Sequence, residues 1–309
     1  METRRAFCRT AALTAGAVLL TRTTPAAATT PQATVISEKR FGANVMELIV
    51  FSPAMRRFLK VRLLLPDGWE ETDRTWPTIW ALHGGNEDFT GWSTHTDIAG
   101  IAASDPVIVV MPEGGKAGGY VDWWNYGRGD SYNWETFHLT ELRTLLEQRY
   151  KANKNRAVLG QSTGGYGALI YAARNPGMFK FAAAYSPFAS ILAHGAPEVL
   201  LTGLAGLGSG TDKWSMWGHP ILNRAVWEAH DPLTQAAKLR GTELYISCAK
   251  KPIDPAEMFC LYTTQPFLDR LKELDIPVHT NLYDPGLHTW PYWEKELHRS
   301  WPMITKAIA

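Results

Sequence analysis

Six short runs, Thr78 to Leu82, Val107 to Met111, Ala157 to Leu159, Phe181 to Tyr185, Leu244 to Ser247 and Val278 to Tyr283, are mostly continuously apolar and end at Gly, Pro, Asn or Asp. A strand with both faces buried has no polar side to show, so such runs call for a sheet covered on both faces. Between them lie helical patterns. Glu135 to Tyr150 carries Leu139, Leu142, Leu145, Leu146 and Arg149 at near-helical spacing, and Thr263 to Leu274 carries Phe267, Leu268 and Leu271. Gly165 to Arg174 and Tyr292 to Lys306 read as two more helices. Strand and helix in alternation imply an α/β architecture with a mostly parallel sheet, whose active sites gather beyond the carboxyl ends of the strands. Two earlier runs, Val45 to Phe51 and Phe58 to Leu65, flank Ser52-Pro53-Ala54-Met55 and predict a hairpin. Residues 189–239, with Gly203, Gly206, Gly208 and Gly210, fit no strand and read as a helical, lid-like insertion over that edge.

No linker, repeat or charge block interrupts residues 44–309, which read as one domain preceded by a polar segment, 29–43. Residues 1–28 read as an export signal. Arg4-Arg5 with Phe7 is followed by the apolar run Ala11 to Leu20 and by Ala26-Ala27-Ala28, a pattern that suits the twin-arginine route. The run falls short of the ~20 residues that span a bilayer, so no stable membrane insertion is expected. Cleavage near Ala28 removes four of 31 basic residues and one of 30 acidic ones, turning a formal charge of +1 into about −2. Neither value gives an electrostatic reason to expect a nucleic-acid partner. Beyond the signal only Cys248 and Cys260 remain, twelve apart; this spacing permits a disulfide without demanding one, and free thiols are the expectation. The histidines are scattered singly and no C-x-x-C occurs, so no metal is expected.

Gly160-Gln161-Ser162-Thr163-Gly164 follows the run Ala157 to Leu159 and precedes a helix rich in small residues. A G-x-S-x-G in that context forms a sharp strand-to-helix turn that presents a serine hydroxyl, and small neighbours are needed because side chains would collide across it. A serine hydroxyl becomes nucleophilic when a histidine takes its proton, with an acid holding the histidine. His288 lies in the loop Asp284-Pro285-Gly286-Leu287-His288 beyond the last strand, whereas His279 begins that strand and His298 sits in the final helix. His288 is therefore the expected base. The acid comes from the segment after Leu244 to Ser247, where position alone leaves Asp254 and Glu257 open. Two backbone N–H groups would hold an oxyanion, from Thr163 and from Gly85 in His83-Gly84-Gly85-Asn86.

These motifs resemble the esterase family of α/β-hydrolases that includes the antigen 85 mycolyltransferases. The resemblance runs from about Val45 to Pro302 through Ser52-Pro53-Ala54-Met55, Gly91-Trp92, Met111-Pro112-Glu113-Gly114-Gly115, Asp122-Trp123, Trp134-Glu135-Thr136-Phe137, Met216-Trp217-Gly218, Asp231-Pro232 and His288-Thr289-Trp290-Pro291-Tyr292-Trp293. It implies the α/β-hydrolase fold. It also implies Glu257 as the acid, because the family's glutamate stands ten residues before a helical Phe, as Glu257 does before Phe267. The family's cysteine at the end of the preceding strand matches Cys248. In the mycolyltransferases the oxyanion loop reads Asp-Gly-Leu-Arg and its charged residues help bind trehalose, whereas here His83 and Asn86 stand there.

The expectation is an exported serine carboxylesterase with Ser162, His288 and Glu257 as its triad and no cofactor. His83, Asn86, Trp123, Trp217 and Trp290 are expected to border a small-molecule, lipid or carbohydrate ester. Acyl transfer to a sugar or lipid hydroxyl is the first alternative, and a non-catalytic carbohydrate- or matrix-binding relative the second.

Overall fold

Among the described residues nine strands form one sheet: β1 (Thr34–Arg40), β2 (Val45–Ser52), β3 (Arg57–Leu64), β4 (Trp76–Leu82), β5 (Ile108–Pro112), β6 (Ala152–Gln161), β7 (Phe181–Tyr185), β8 (Glu243–Ala249) and β9 (His279–Tyr283). The structure is a computed structural model that describes residues 32–128, 132–206 and 212–309. The predicted export segment, Gly208 and Gly210 lie outside the described residues. The helices, among these residues, are α1 (Gly91–His95), α2 (Ile98–Ala103), α3 (Trp134–Thr136), α4 (Arg143–Arg149), α5 (Thr163–Arg174), α6 (Ala196–Gly206), α7 (Arg224–Ala229), α8 (Pro232–Gln235), α9 (Pro255–Glu273) and α10 (Trp290–Ile308). None is long and apolar enough to cross a membrane.

The strand order is β1-β2-β3-β5-β4-β6-β7-β8-β9. The pairs from β1 to β5 are antiparallel, and those from β5 through β4 to β9 are parallel. The apolar runs are buried on both faces by two separate layers. Trp80 and Leu82 of β4, Val158 of β6 and Ala182 of β7 face one core, with Leu146, Leu169, Phe267 and Leu271 from α4, α5 and α9. Their neighbours Ile79, Ala81, Ala157, Leu159 and Phe181 face the other, with Ile98 of α2 and Trp293, Leu297, Trp301 and Ile304 of α10. Successive residues of a strand point to opposite faces, so a strand serving two cores must be apolar throughout.

The sheet extends beyond the apolar runs at its other edge. β1 is built from the polar stretch Thr34–Arg40, mostly exposed and hydrogen-bonded along β2. The run from Glu135 is helical as far as Arg149, with Tyr150 as the cap, but a π turn, Phe137–Leu142, separates α3 from α4. In that turn the buried Glu141 accepts hydrogen bonds from Ser52 Oγ and, at 2.8 Å, from Ala54 N–H, which ties the β2–β3 turn to this helix. Asp122 likewise accepts from Thr136 N–H (2.9 Å) and Thr136 Oγ1 (2.5 Å), and Asp231 caps α8 by accepting from Thr234 N–H (2.9 Å). The described residues of the insertion contain the helices α6, α7 and α8, as expected.

Register sets up the site. Leu82 pairs with Gly160, Gln161 with Tyr185, Tyr185 with Ser247, and Ala249 with Tyr283. The residues that follow these strand ends, namely His83, Ser162, Ser186, Lys250 and Asp284, therefore leave the sheet along one edge.

Candidate active site

At the β6–α5 turn Ser162 has φ 54° and ψ −119°, a conformation that ordinary residues adopt only when the surroundings impose it, at roughly 1–3 kcal/mol. The glycines make the turn possible. A Cβ on Gly160 would lie 2.2 Å from the backbone of Gly164, and one on Gly164 would lie 2.2 Å from Leu82 O. Ser162 N–H donates to Tyr185 O (2.9 Å), and Ser162 O accepts from Tyr166 N–H (3.0 Å) as α5 begins. The hydroxyl is thus held clear of the backbone while the helix starts directly beneath it.

His288 arrives from the β9–α10 loop. Its Nε2 lies 2.9 Å from Ser162 Oγ and its Nδ1 lies 2.9 Å from Glu257 Oε2. A carboxylate can only accept, so Nδ1–H donates to Glu257 and Nε2 is left to accept the serine proton. The ring packs edge-on against Trp293 at 4.9 Å between centroids. Glu257 is the third residue of α9 and fully buried. Burial raises its carboxyl, but the hydrogen bonds from His288, Ala249 N–H (2.7 Å) and Ser186 Oγ (3.0 Å) outweigh this and hold it below the ordinary glutamate value.

The alternative acid, Asp254, does not reach the imidazole ring. It caps α9, accepting from Glu257 N–H (3.0 Å), and its second oxygen accepts from His288 N–H (2.7 Å). It fixes the backbone of both partners instead.

Gly85, Ser162, Thr163 and His288 border a cavity of about 430 Å³, walled by Phe188 from the segment after β7, by Val199 and Leu200 of α6, and by Pro255, Phe259 and Cys260 of α9. Thr163 is the first residue of α5, where backbone N–H groups have no partner within the helix. Cys248 and Cys260, the cysteines among the described residues, are free and buried. Burial pushes the Cys248 thiol up to about 12 and Cys260 well above its ordinary value, so neither is a thiolate nucleophile.

The expected substrate-bordering residues are placed otherwise. His83 is buried; Gly114 N–H donates to its Nε2 (2.8 Å), leaving Nδ1–H to donate to Gly84 O (2.8 Å), and burial lowers its pKa to about 4. It is a neutral brace for the Gly84-Gly85 loop. Asn86 is exposed with φ 62°, its N–H donating to Lys116 O (3.0 Å). Trp123 is buried, donating to Gly118 O (2.9 Å), and borders a different cleft with Arg57, Tyr132 and Trp134. Trp217 is fully buried against Tyr166 and Trp227. Trp290 stacks on His95 and donates to Glu87 Oε1 (3.1 Å). None of the five is in the wall of the Ser162 cavity. Aromatic content marked them, but apolar rings fill cores and clefts alike. Of the other late histidines, His279 is exposed and His298 pairs with Asp97 at the surface.

Ser186 and Tyr283 were not singled out from sequence. Ser186 Oγ donates to Glu257 and accepts from Trp293 Nε1 (3.1 Å), and Tyr283 OH donates to the same carboxylate oxygen (3.3 Å). Their signal was position, directly after or at the end of a strand on the site's edge.

Sheet, flanking helices and the strained serine turn define a protein of the α/β-hydrolase fold. Residues 52–304 match the family model described as Putative esterase, and the chain belongs to that family. The resemblance read from the motifs is borne out. The chain is 33% identical over 248 residues to Esterase Rv1288 of Mycobacterium tuberculosis, covering 74% of itself and 52% of that protein. It thus spans about half the length of that relative. It is 31% identical over 299 residues to Diacylglycerol acyltransferase/mycolyltransferase Ag85B of Mycobacterium leprae, covering 89% of itself and 88% of the relative. Among solved structures, MPT51 of Mycobacterium tuberculosis superposes with a TM-score of 0.75 at 26% identity, covering 87% of this chain and 100% of its own. A ferulic acid esterase with a TM-score of 0.67 at 22% identity shares the fold.

Proposed function

We infer that this chain is an exported serine ester hydrolase. The reading rests above all on His288, whose two ring nitrogens lie 2.9 Å from Ser162 Oγ and 2.9 Å from Glu257 Oε2 beside an apolar cavity. Ser162 Oγ attacks the ester carbonyl as His288 Nε2 takes its proton, and the backbone N–H groups of Gly85 and Thr163 receive the oxyanion. The imidazolium formed is stabilised by Glu257, which keeps its charge. His288 then returns the proton to the leaving alcohol, and water, activated the same way, releases the acid from Ser162. The acyl chain occupies the cavity beside Phe188, Leu200 and Phe259. The catalytic unit is residues 44–309 with β1 added at its edge, and Arg4-Arg5 with Ala11 to Leu20 directs export by the twin-arginine route.

Acyl transfer to a sugar or lipid hydroxyl is the second reading, favoured by the name of the 31% identical Ag85B relative. Against it stands the loop that would bind the acceptor, where His83 has both ring nitrogens engaged and Asn86 carries no charge. Losing two charged contacts of about 1.5–3 kcal/mol each lowers the advantage of a bound alcohol over water by about 10² or more. The test is acid release from p-nitrophenyl esters of increasing chain length, with and without trehalose. Ser162→Ala and His288→Ala should each lower kcat by about 10⁴–10⁶ without adding to one another. Trehalose should leave the wild-type rate and products unchanged. More than a tenth of wild-type activity in Ser162→Ala would overturn the hydrolase reading, and rapid trehalose monoester formation would promote the transferase one.

A further inference from the structure

The geometry points to a binding site for a soft divalent cation formed by Glu257, Cys260 and His288, whose occupation switches off the acyl chemistry. Glu257 and Cys260 stand three residues apart on α9, so both side chains leave the same face of the helix. That face meets His288. Cys260 Sγ lies 3.8 Å from His288 Nδ1, Glu257 Oε2 lies 2.9 Å from the same nitrogen, and the three ligand atoms all fall within 4.8 Å of one another. A tetrahedral zinc ion with bonds of about 2.3 Å to sulfur and 2.0–2.1 Å to nitrogen sets those two atoms roughly 3.5 Å apart. The Cys260–His288 pair needs to close by only a few tenths of an ångström, and Glu257 is the ligand that adjusts around it.

The chemistry of the three donors selects the ion. A thiolate with an imidazole favours zinc or cadmium over magnesium or calcium, which take oxygen ligands. A divalent ion held by one thiolate and one carboxylate is neutral overall, which suits a buried position. Cys260 and His288 both border the Ser162 cavity, which gives the ion its entrance and a water for the fourth position.

Binding is balanced in protons. The Cys260 S–H gives its proton to solvent. The His288 proton leaves Nδ1, where the metal takes the lone pair, and the neutral ring carries its proton on Nε2 instead. Nε2–H then faces Ser162 Oγ as a donor and has no lone pair to accept the serine proton. Inhibition therefore follows from the tautomer and does not require the cavity to be blocked. That consequence rests on His288 being the base of the proposed reaction, whereas the site itself does not.

Cadmium is the probe, because its bond to a thiolate gives an ultraviolet charge-transfer band that is independent of catalysis. Titrated into the full chain, cadmium should bind at one equivalent, raise this band and abolish ester release in parallel. Cys260→Ala, referred to its own metal-free rate, should lose the band and need roughly 100-fold more cadmium for half-inhibition, at the upper end of what loss of a supporting group alone costs. Cys248→Ala should keep both responses. Absence of the band in the wild type, or its survival in Cys260→Ala, overturns the site. A band that rises without loss of activity overturns the inhibition, and with it the role of His288 as base, while leaving the hydrolysis measurements on Ser162→Ala as a separate test.

Discussion

Glu257 and Asp254 stand three residues apart at the start of one helix, yet only Glu257 reaches the imidazole ring. Asp254 accepts from two backbone N–H groups, so its amide isostere keeps one acceptor and loses the other. Glu257→Gln leaves an amide where the proposed mechanism has a carboxylate fix the Nδ1–H tautomer and stabilise the imidazolium. We predict that Glu257→Gln lowers kcat by roughly 10³–10⁴, and that Asp254→Asn costs no more than about 10–100-fold. Steady-state kinetics on one ester compare them, and the reverse ranking would move the acid to Asp254. The placing of Ser162 at a strand-to-helix turn and of His288 in a loop beyond the last strand was legible, because a turn motif and chain order specify position. The choice of acid was not legible from position, because which side of α9 faces the site depends on how the helix packs against the sheet. His83 misled for a similar reason: the loop's place was readable, but the direction of its ring is fixed by Gly114 N–H on another strand's loop.

Elements were readable where their apolar pattern was a sheet or core pattern, and blurred where they serve the site or the edge. α9 was expected from Thr263 because its apolar stripe begins there. Its first turns, from Pro255, bury Glu257 and Cys260 against the site instead. β1 shows no alternation because an edge strand exposed over most of its length has no buried face to pattern. The β6–α5 turn is the opposite case, an element dictated by close approach. Gly164→Ala would drive a Cβ to 2.2 Å from Leu82 O, and neither that backbone nor the turn can yield. It should lose about 3 kcal/mol or more of stability, together with most of the activity. Gly100→Ala within α2 meets nothing within 4 Å and should gain up to about 1 kcal/mol. Urea midpoints of the two variants check the contrast, and equal effects would contradict this account of the turn.

At the scale of the molecule, three buried histidines tie stability to pH. Burial lowers His83 to about 4, His138 to about 3 and His230 to about 4, against an ordinary value of 6.5. Between those limits the unfolded chain binds protons that the native state refuses, so the stability these rings contribute is complete above about pH 6.5 and is lost as pH falls toward 4. Burial raises Glu113, Glu141 and Asp231, which act in the opposite sense, but only near the carboxylate range. The thermal midpoint should therefore be flat from about pH 6.5 to about 8 and fall steadily below that range; a midpoint that climbs between pH 6.5 and 5 would contradict this. The mostly parallel sheet and its two covered faces were legible at this scale because continuously apolar runs alternate with helical patterns along the chain. The cavity wall was not, since α6 and α9 reach it from segments about sixty residues apart in sequence.

The central claim is that one serine, held in a strained turn against His288, is the nucleophile. A fluorophosphonate probe followed by intact-protein and peptide mass measurement tests it most directly. The wild-type chain should gain one phosphonyl adduct, located on Ser162, while Ser162→Ala gains none and His288→Ala is labelled far more slowly. An unlabelled wild type, or an adduct that persists in Ser162→Ala, would contradict the account.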